Sequence, residues 1–411
     1  MSNPWPLIAA LYATGVMAAA QLGQLSALLP QLQDELTLSL TAAAALVSFL
    51  ELGGATLGLM AGVVVRRVGL NRALLAGLAL MVLACIGLAA AQSAPLAFLW
   101  RAIQAAAYLT IVVAAPTLIA TISGPDRQPT ALALWSTFFP VGFAIGSVLA
   151  GALAAPFGWR GALLAIMLPT ALLLLPALRL PAISLPRAGS HAHPLRAPAA
   201  AWLTALAFCF YTVFEVGVLA VLPTYLAEAH GLSAGSAGAV AGIAAVATVL
   251  GGLYAAAWLR ASRPTGELMA AALIGPALLL FLAFTPAAWS VTWIWPATAA
   301  ILLNAISGVV PAIVFARLPQ LLGSGGDMAT ANGLLAQGGA SGSLLGPPLL
   351  AGAASSWGWP AAAAVGFVAS LLSLAAAMAA GRRQPPLIAV STVTSAPSCS
   401  SVSREARRPP T

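Results

Sequence analysis

The chain has 411 residues, 61% of them hydrophobic and only 6% charged, with a net charge of +8 and a mean hydropathy of +0.98. So few charges cannot solvate a domain of this length, which excludes a soluble enzyme or a soluble nucleic-acid binder. The basic excess is carried by 17 arginines with no lysine, spread over short loops rather than gathered into a patch.

A hydrocarbon core of about 30 Å takes roughly 20 helical residues per crossing. Twelve apolar stretches meet that length in chain order: about 7–29, 42–65, 73–91, 96–122, 130–154, 161–178, 200–226, 236–259, 267–285, 290–316, 330–354 and 359–380. The first has no basic region before it and no A-x-A cleavage site, so it reads as a retained helix. Threaded alternately from a cytoplasmic N-terminus, 15 of the 17 arginines fall in cytoplasmic loops or the tail, the exceptions being Arg101 and Arg160. That asymmetry orients helices in a bilayer and predicts an inner (cytoplasmic) membrane protein with both termini in the cytoplasm. Trp100, Trp159, Trp289, Trp357 and Trp359 near the outer span ends read as interfacial anchors.

Between spans six and seven, residues 181–199 carry Pro181, Pro186, Pro194 and Pro198 among arginines and histidines, the composition of a solvated linker. The expected organisation is a six-helix bundle over 1–180, a cytoplasmic linker over 181–199, a second six-helix bundle over 200–380 and a disordered cytoplasmic tail over 381–411. His191 and His193 form an H-x-H unaccompanied by Cys or another His, so no metal site is expected. Cys85, Cys209 and Cys399 lie far apart and imply no disulfide framework. With no lysine there is no G-x-x-x-x-G-K-[ST] nucleotide loop, and no catalytic constellation or cofactor motif is visible.

The two halves look related. Thr130-Ala131 recurs as Thr330-Ala331, Gly142 as Gly342, Gly146 as Gly346, Leu149 as Leu349 and Gly158-Trp159 as Gly358-Trp359, each pair 200 residues apart. Ala27-Leu28-Leu29-Pro30 and Ala220-Val221-Leu222-Pro223 close spans one and seven in the same way. Pro116, Pro223 and Pro311 are expected to bend or end their helices.

Three local sequences point to a family. The loop between spans two and three reads Gly58-Leu-Met-Ala-Gly62-Val-Val-Val-Arg66-Arg67-Val-Gly69-Leu-Asn-Arg72. Span four carries Arg101-Ala-Ile-Gln104, and spans five and eleven carry Gly142/Gly146 and Gly342/Gly346-Pro347. With twelve spans and a central linker, these resemble the major facilitator superfamily over residues 1–380. The loop resembles its G-x-x-x-[D]-R-x-G-x-[RK] signature at Gly62, Arg67, Gly69 and Arg72, but Arg66 stands at the acidic position. In the family that acid is implied to latch the cytoplasmic gate, so here a latch runs to another acid or is absent. Arg101 and Gln104 resemble an R-x-x-Q-G motif with Ala105 in place of the Gly. The Gly pairs resemble an exporter signature, with Pro140 displaced in span five; small residues four apart equally serve close helix packing. The resemblance implies an all-α fold of twelve transmembrane helices in two pseudo-symmetric bundles, with spans one, four, seven and ten lining a central cavity.

Each charge inside the membrane costs about 2.5–3.5 kcal/mol on insertion scales and calls for a reason. Glu51 lies about 15 Å from the outer end of span two, and Arg101 about 8 Å below the outer end of span four. Glu215 lies in the outer-middle part of span seven. Carboxylates in such surroundings can load and release a proton near neutral pH. A Glu51–Arg101 ion pair that simply holds the first bundle together is the alternative for that pair. Glu215 has no basic residue in the second-half membrane interior to pair with, and is the first choice for a proton- or substrate-coupling carboxylate. Gln21, Gln24, Gln104, Tyr108, Tyr211 and Asn304 are the expected polar lining of a substrate cavity, with Ser307 beside them.

These features predict a monomeric secondary transporter for a small molecule, coupled to protons and working by alternating access. Export of a small apolar compound is the first expectation. Uptake of a small organic anion anchored on Arg101 is the second, and a non-transporting membrane sensor or assembly partner the third.

Overall fold

A computed structural model describes residues 4–180, 198–261, 263–284, 292–322 and 328–383. Most of the expected linker with His191 and His193, Trp289, and the tail beyond Arg383 lie outside these residues. The elements are α1 (Trp5–Leu36), α2 (Leu40–Ser48), a 3₁₀ turn (Phe49–Glu51), α3 (Leu52–Val68), α4 (Leu70–Ala89), α5 (Ala94–Trp135), α6 (Phe138–Leu172) and α7 (Leu174–Leu178). They continue with α8 (Ala199–His230), α9 (Ala234–Arg260), α10 (Thr265–Ala283), α11 (Ile294–Ser307), α12 (Val309–Leu322), α13 (Met328–Trp357) and α14 (Trp359–Arg382). No strand occurs among the described residues, as lipid demands of an open chain that must satisfy its backbone internally.

Ten described stretches are long and apolar enough to cross a membrane. One of them, Phe138–Leu178, contains two crossings, because Gly158 leaves helical geometry at φ 65°, ψ 173°. With the less apolar α13 added, the count is consistent with the twelve expected spans. Gly124 (φ 70°, ψ 167°) likewise divides span four from span five within α5.

The halves repeat at the level of contacts. Gly142 and Gly146 of α6 pack so closely on α1 that a Cβ would strike the carbonyls of Val16 and Ala20. Gly342 and Gly346 of α13 do the same on α8, against Cys209 and Val213. One side of each contact repeats after 200 residues and the other after 193, the spacing of Pro30 and Pro223. The turns leading into α2 and α9 also match. Thr37 (φ 50°) and Gly231 (φ 66°) adopt left-handed caps, after which Ser39 and Ser233 accept from Ala42 and Ser236 amides.

Pro30 and Pro223 do not end their helices. α1 continues to Leu36 and α8 to His230, and Pro116 leaves α5 intact; Pro311 sits in the first turn of α12, past the junction at Gly308. A helical proline donates no bond to the carbonyl four residues back, so Pro223 frees the carbonyl of Leu219. The Ser26 hydroxyl of α1 donates to that carbonyl at 2.9 Å, and reaches Ala220 O at 2.8 Å. Pro348 in α13 frees the carbonyl of Leu344, and the Ser48 hydroxyl of α2 donates to it at 2.8 Å. Both bonds cross between halves, and both serines are fully buried.

Three seams join the halves: α1 on α8, α2 and α3 on α13, and α6 on α9. The second runs from Thr41–Ser355 at the end of the bundle far from the described termini to Leu59–Gly333. In the third, Gly151, Gly238 and Gly242 allow backbone approach to Ala234, Ser147 and Ala144.

Candidate substrate and proton site

A belt of polar side chains crosses the apolar interior at one level. Its first-half part is a chain of hydrogen bonds. Gln21 donates to Met17 O at 3.3 Å, which fixes its amide so that Oε1 faces the neighbours. That oxygen accepts from Gln24 Nε2, from Gln104 Nε2 at 3.0 Å and from the Cys85 thiol at 3.1 Å. Gln104 Oε1 in turn accepts from Arg101.

Arg101 is fully buried, yet it does not point at a carboxylate. Its Nε donates to Leu46 O at 3.1 Å and its Nη2 to Val47 O at 2.6 Å. Those carbonyls end α2 just before the 3₁₀ turn, where the helical ladder is interrupted, so the guanidinium caps a break in span two. No ion pair joins Glu51 to Arg101 among the described residues. The Glu51 carboxylate instead lies beside Tyr108 and near Gly54, which faces Ala340 of α13 across the seam.

The second-half part is sparser. Glu215 is buried in α8 at 6% exposure, with Tyr211 one turn away and in electrostatic contact with it. Tyr211 meets Ser307 at the end of α11, and Asn304, one turn earlier, donates to Ala300 O at 2.8 Å. No arginine lies in ion-pair contact with Glu215 among the described residues. The Ser26–Leu219 bond registers α1 against α8, and at about 1.5 Å per residue it sets Glu215 level with Gln21 and Gln24 to within one helical turn.

The loop motif is placed apart from this belt. Gly62, Arg66 and Arg67 lie in α3, Gly69 makes the turn with φ 94°, and Arg72 is in the first turn of α4; Arg67 and Arg72 are exposed. The side chain of Arg66 lies outside the described residues. Gly142, Gly146, Gly342 and Gly346 are at the helix crossings described above, and Pro347 is buried beside Gly346.

Two clasps at the far end escape the sequence reading. Trp159 Nε1 donates to Glu35, and Arg160 both pairs with Glu35 and donates to Ala91 O at 2.9 Å. In the second half Trp359 lies beside Glu228. Glu35 and Glu228 are 193 apart and the tryptophans 200, so the repeat spacings contained the signal. Arg160 has no counterpart, because Pro360 stands at its place.

A sequence profile of the Major Facilitator Superfamily matches residues 9–347, over three quarters of the chain. A search of curated protein sequences returns no match. Among solved structures, a bacterial homolog of the human lysosomal transporter Spinster, in an inward-facing and occupied conformation, superposes with a TM-score of 0.70 at 16% identity, covering 93% of this chain and 98% of that one. A point mutant of the nucleoside transporter NupG superposes with a TM-score of 0.71 at 14% identity, covering 92% and 99%. At such identities the likeness is one of fold, and it agrees with the two six-helix bundles, the duplicated contacts and the profile match. This chain belongs to the major facilitator superfamily.

Proposed function

We propose that the protein is a proton-coupled secondary transporter that exports a small, largely apolar organic compound across the cytoplasmic membrane. It works as a monomer with both termini in the cytoplasm, its halves rocking about the polar belt. Glu215 carries the proton, and Arg101 and Glu51 belong to the network that switches with it. Gln21, Gln24, Gln104, Tyr108, Tyr211 and Asn304 contact the substrate.

The observation that carries this reading is Glu215 itself, a buried carboxylate without a cationic partner among the described residues, level with polar groups of both halves. A structural role would call for a counter-charge or a full set of donors, and a proton is the simplest neutralising ligand. In the proposed orientation the sealed far end faces outward.

The test is flux in proteoliposomes under an imposed pH gradient, with cationic, neutral and anionic compounds and with Glu215→Gln alongside. Flux that follows the gradient and is lost in the variant is expected. Gradient-independent flux that survives the substitution would make the protein a facilitator and Glu215 a structural residue.

A further inference from the structure

The polar belt is unbalanced in a way that selects its ligand. Each side-chain amide has its orientation fixed by a partner that can only accept or only donate. Met17 O fixes Gln21, whose Oε1 then fixes Gln24 and Gln104 with their amino groups toward it, and Arg101 confirms Gln104. Ala300 O fixes Asn304. What remains is Gln24 Oε1 and Asn304 Oδ1, both buried and both without a hydrogen-bond partner among the described residues. Gln337 Oε1, near Glu51 across the α3–α13 seam, is a third. To these oxygens are added the carboxylates of Glu215 and Glu51.

On the donor side each side-chain nitrogen of Arg101, Gln21, Gln24, Gln104 and Asn304 already has a partner, whereas the Gln24, Asn304 and Gln337 oxygens have none. All three nitrogens of Arg101 are engaged, two on backbone carbonyls and one on Gln104. The Cys85 thiol is given to Gln21, and Tyr108 lies beside Glu51. Among the described residues the buried hydroxyl without a hydrogen-bond partner, that of Thr224, lies nine residues along α8 from Glu215, about 13 Å away.

Resting on the transport reading above, we infer that the substrate is a hydrogen-bond donor, and specifically a primary or secondary amine carried on an apolar body and bound in its protonated form. Its N–H groups satisfy Gln24 and Asn304, and its charge faces Glu215. A buried acceptor left unmade is costly, so a ligand supplying the donor gains what the free protein lacks. An organic anion would face the Glu215 carboxylate and leave the Gln24 and Asn304 oxygens unpaired. Arg101, the residue that the anion reading needs, would first have to release the carbonyls that it caps.

The experiment measures binding to purified detergent-solubilised protein, independently of transport, by thermal shift and tryptophan fluorescence. The probes are five apolar cores, each bearing an aminomethyl, hydroxymethyl, methyl or carboxylate group. Aminomethyl compounds are expected to bind roughly tenfold to a hundredfold tighter than their methyl counterparts, with hydroxymethyl between and carboxylates weakest. Asn304→Leu should reduce the advantage of both donor series roughly tenfold, and Glu215→Gln should bring amines and alcohols together. Equal binding across the head groups, a preference for carboxylates, or no binding by any compound overturns the inference. Amine preference together with gradient-independent flux would leave it standing and refute the transport reading; gradient-linked flux of carboxylates would do the reverse.

Discussion

The two serine bonds between the halves set a measurable bias on the conformational equilibrium. Ser26 and Ser48 are each buried, and each donates to a carbonyl that a proline has freed from its helix. In Ser26→Ala or Ser48→Ala the sealed state keeps the carbonyl buried but unpaired, at a cost of about 1–3 kcal/mol. Once the halves part, water reaches the same carbonyl and the substitution costs little. Each variant should therefore shift the equilibrium away from the sealed state by roughly 5- to 150-fold, and the two bonds lie on different seams and share no partner, so their effects should add. The hydroxyls of Thr41 and Ser355 sit 3.5 Å apart at the far end of the α2–α13 seam. Cysteines placed at both positions should cross-link readily in the parent protein and more slowly in either serine variant. An unchanged cross-linking rate in the double variant, with folding intact, would refute the argument that these bonds hold the seam.

Further outcomes follow from the packing. Gly23→Val should lower the melting temperature by the equivalent of about 3 kcal/mol, because a Cβ there enters the carbonyl of Phe143. Gly235→Ala, whose Cβ would have its nearest neighbour at 3.6 Å, should stay within about 0.5 kcal/mol of the parent. Arg101→Ala should cost about 3 kcal/mol or more in a thermal melt, and Arg101→Lys should not restore it, since a point ammonium cannot span two carbonyls and an amide as the planar guanidinium does. Glu35→Gln should cost no more than about 1 kcal/mol by the same assay, as Glu35 is 48% and Arg160 34% exposed.

The spans were legible because bilayer thickness and charge asymmetry act on composition alone, and every expected stretch is mainly helical where described. The duplication was legible through Gly158-Trp159 and Gly358-Trp359, since a positive φ (65° and 84°) demands glycine at both places. Proline misled at Pro30 and Pro223, because the sequence shows the lost backbone donor but not the serine on another helix that replaces it. The direction in which Arg101 points was equally hidden. A guanidinium near a glutamate reads as an ion pair, whereas the 3₁₀ turn that offers it free carbonyls is a three-dimensional event. Cys85 joined the polar belt unannounced, its thiol one turn of α4 from nothing but apolar neighbours in the chain.

Ser26 and Leu219 are 193 residues apart, the spacing that relates α1 to α8, so the Ser26–Leu219 bond joins a residue to its own counterpart. Such a contact lies on the pseudo-two-fold axis. If each half were a separate protein pairing with an identical copy, that point would bring two serines together, or two leucines. Here the two counterparts have diverged, so that one supplies the hydroxyl and the other only a proline-freed carbonyl. The centre of the interface is therefore a place where the two related halves have taken different roles, one donating and one accepting, across a near-symmetric contact.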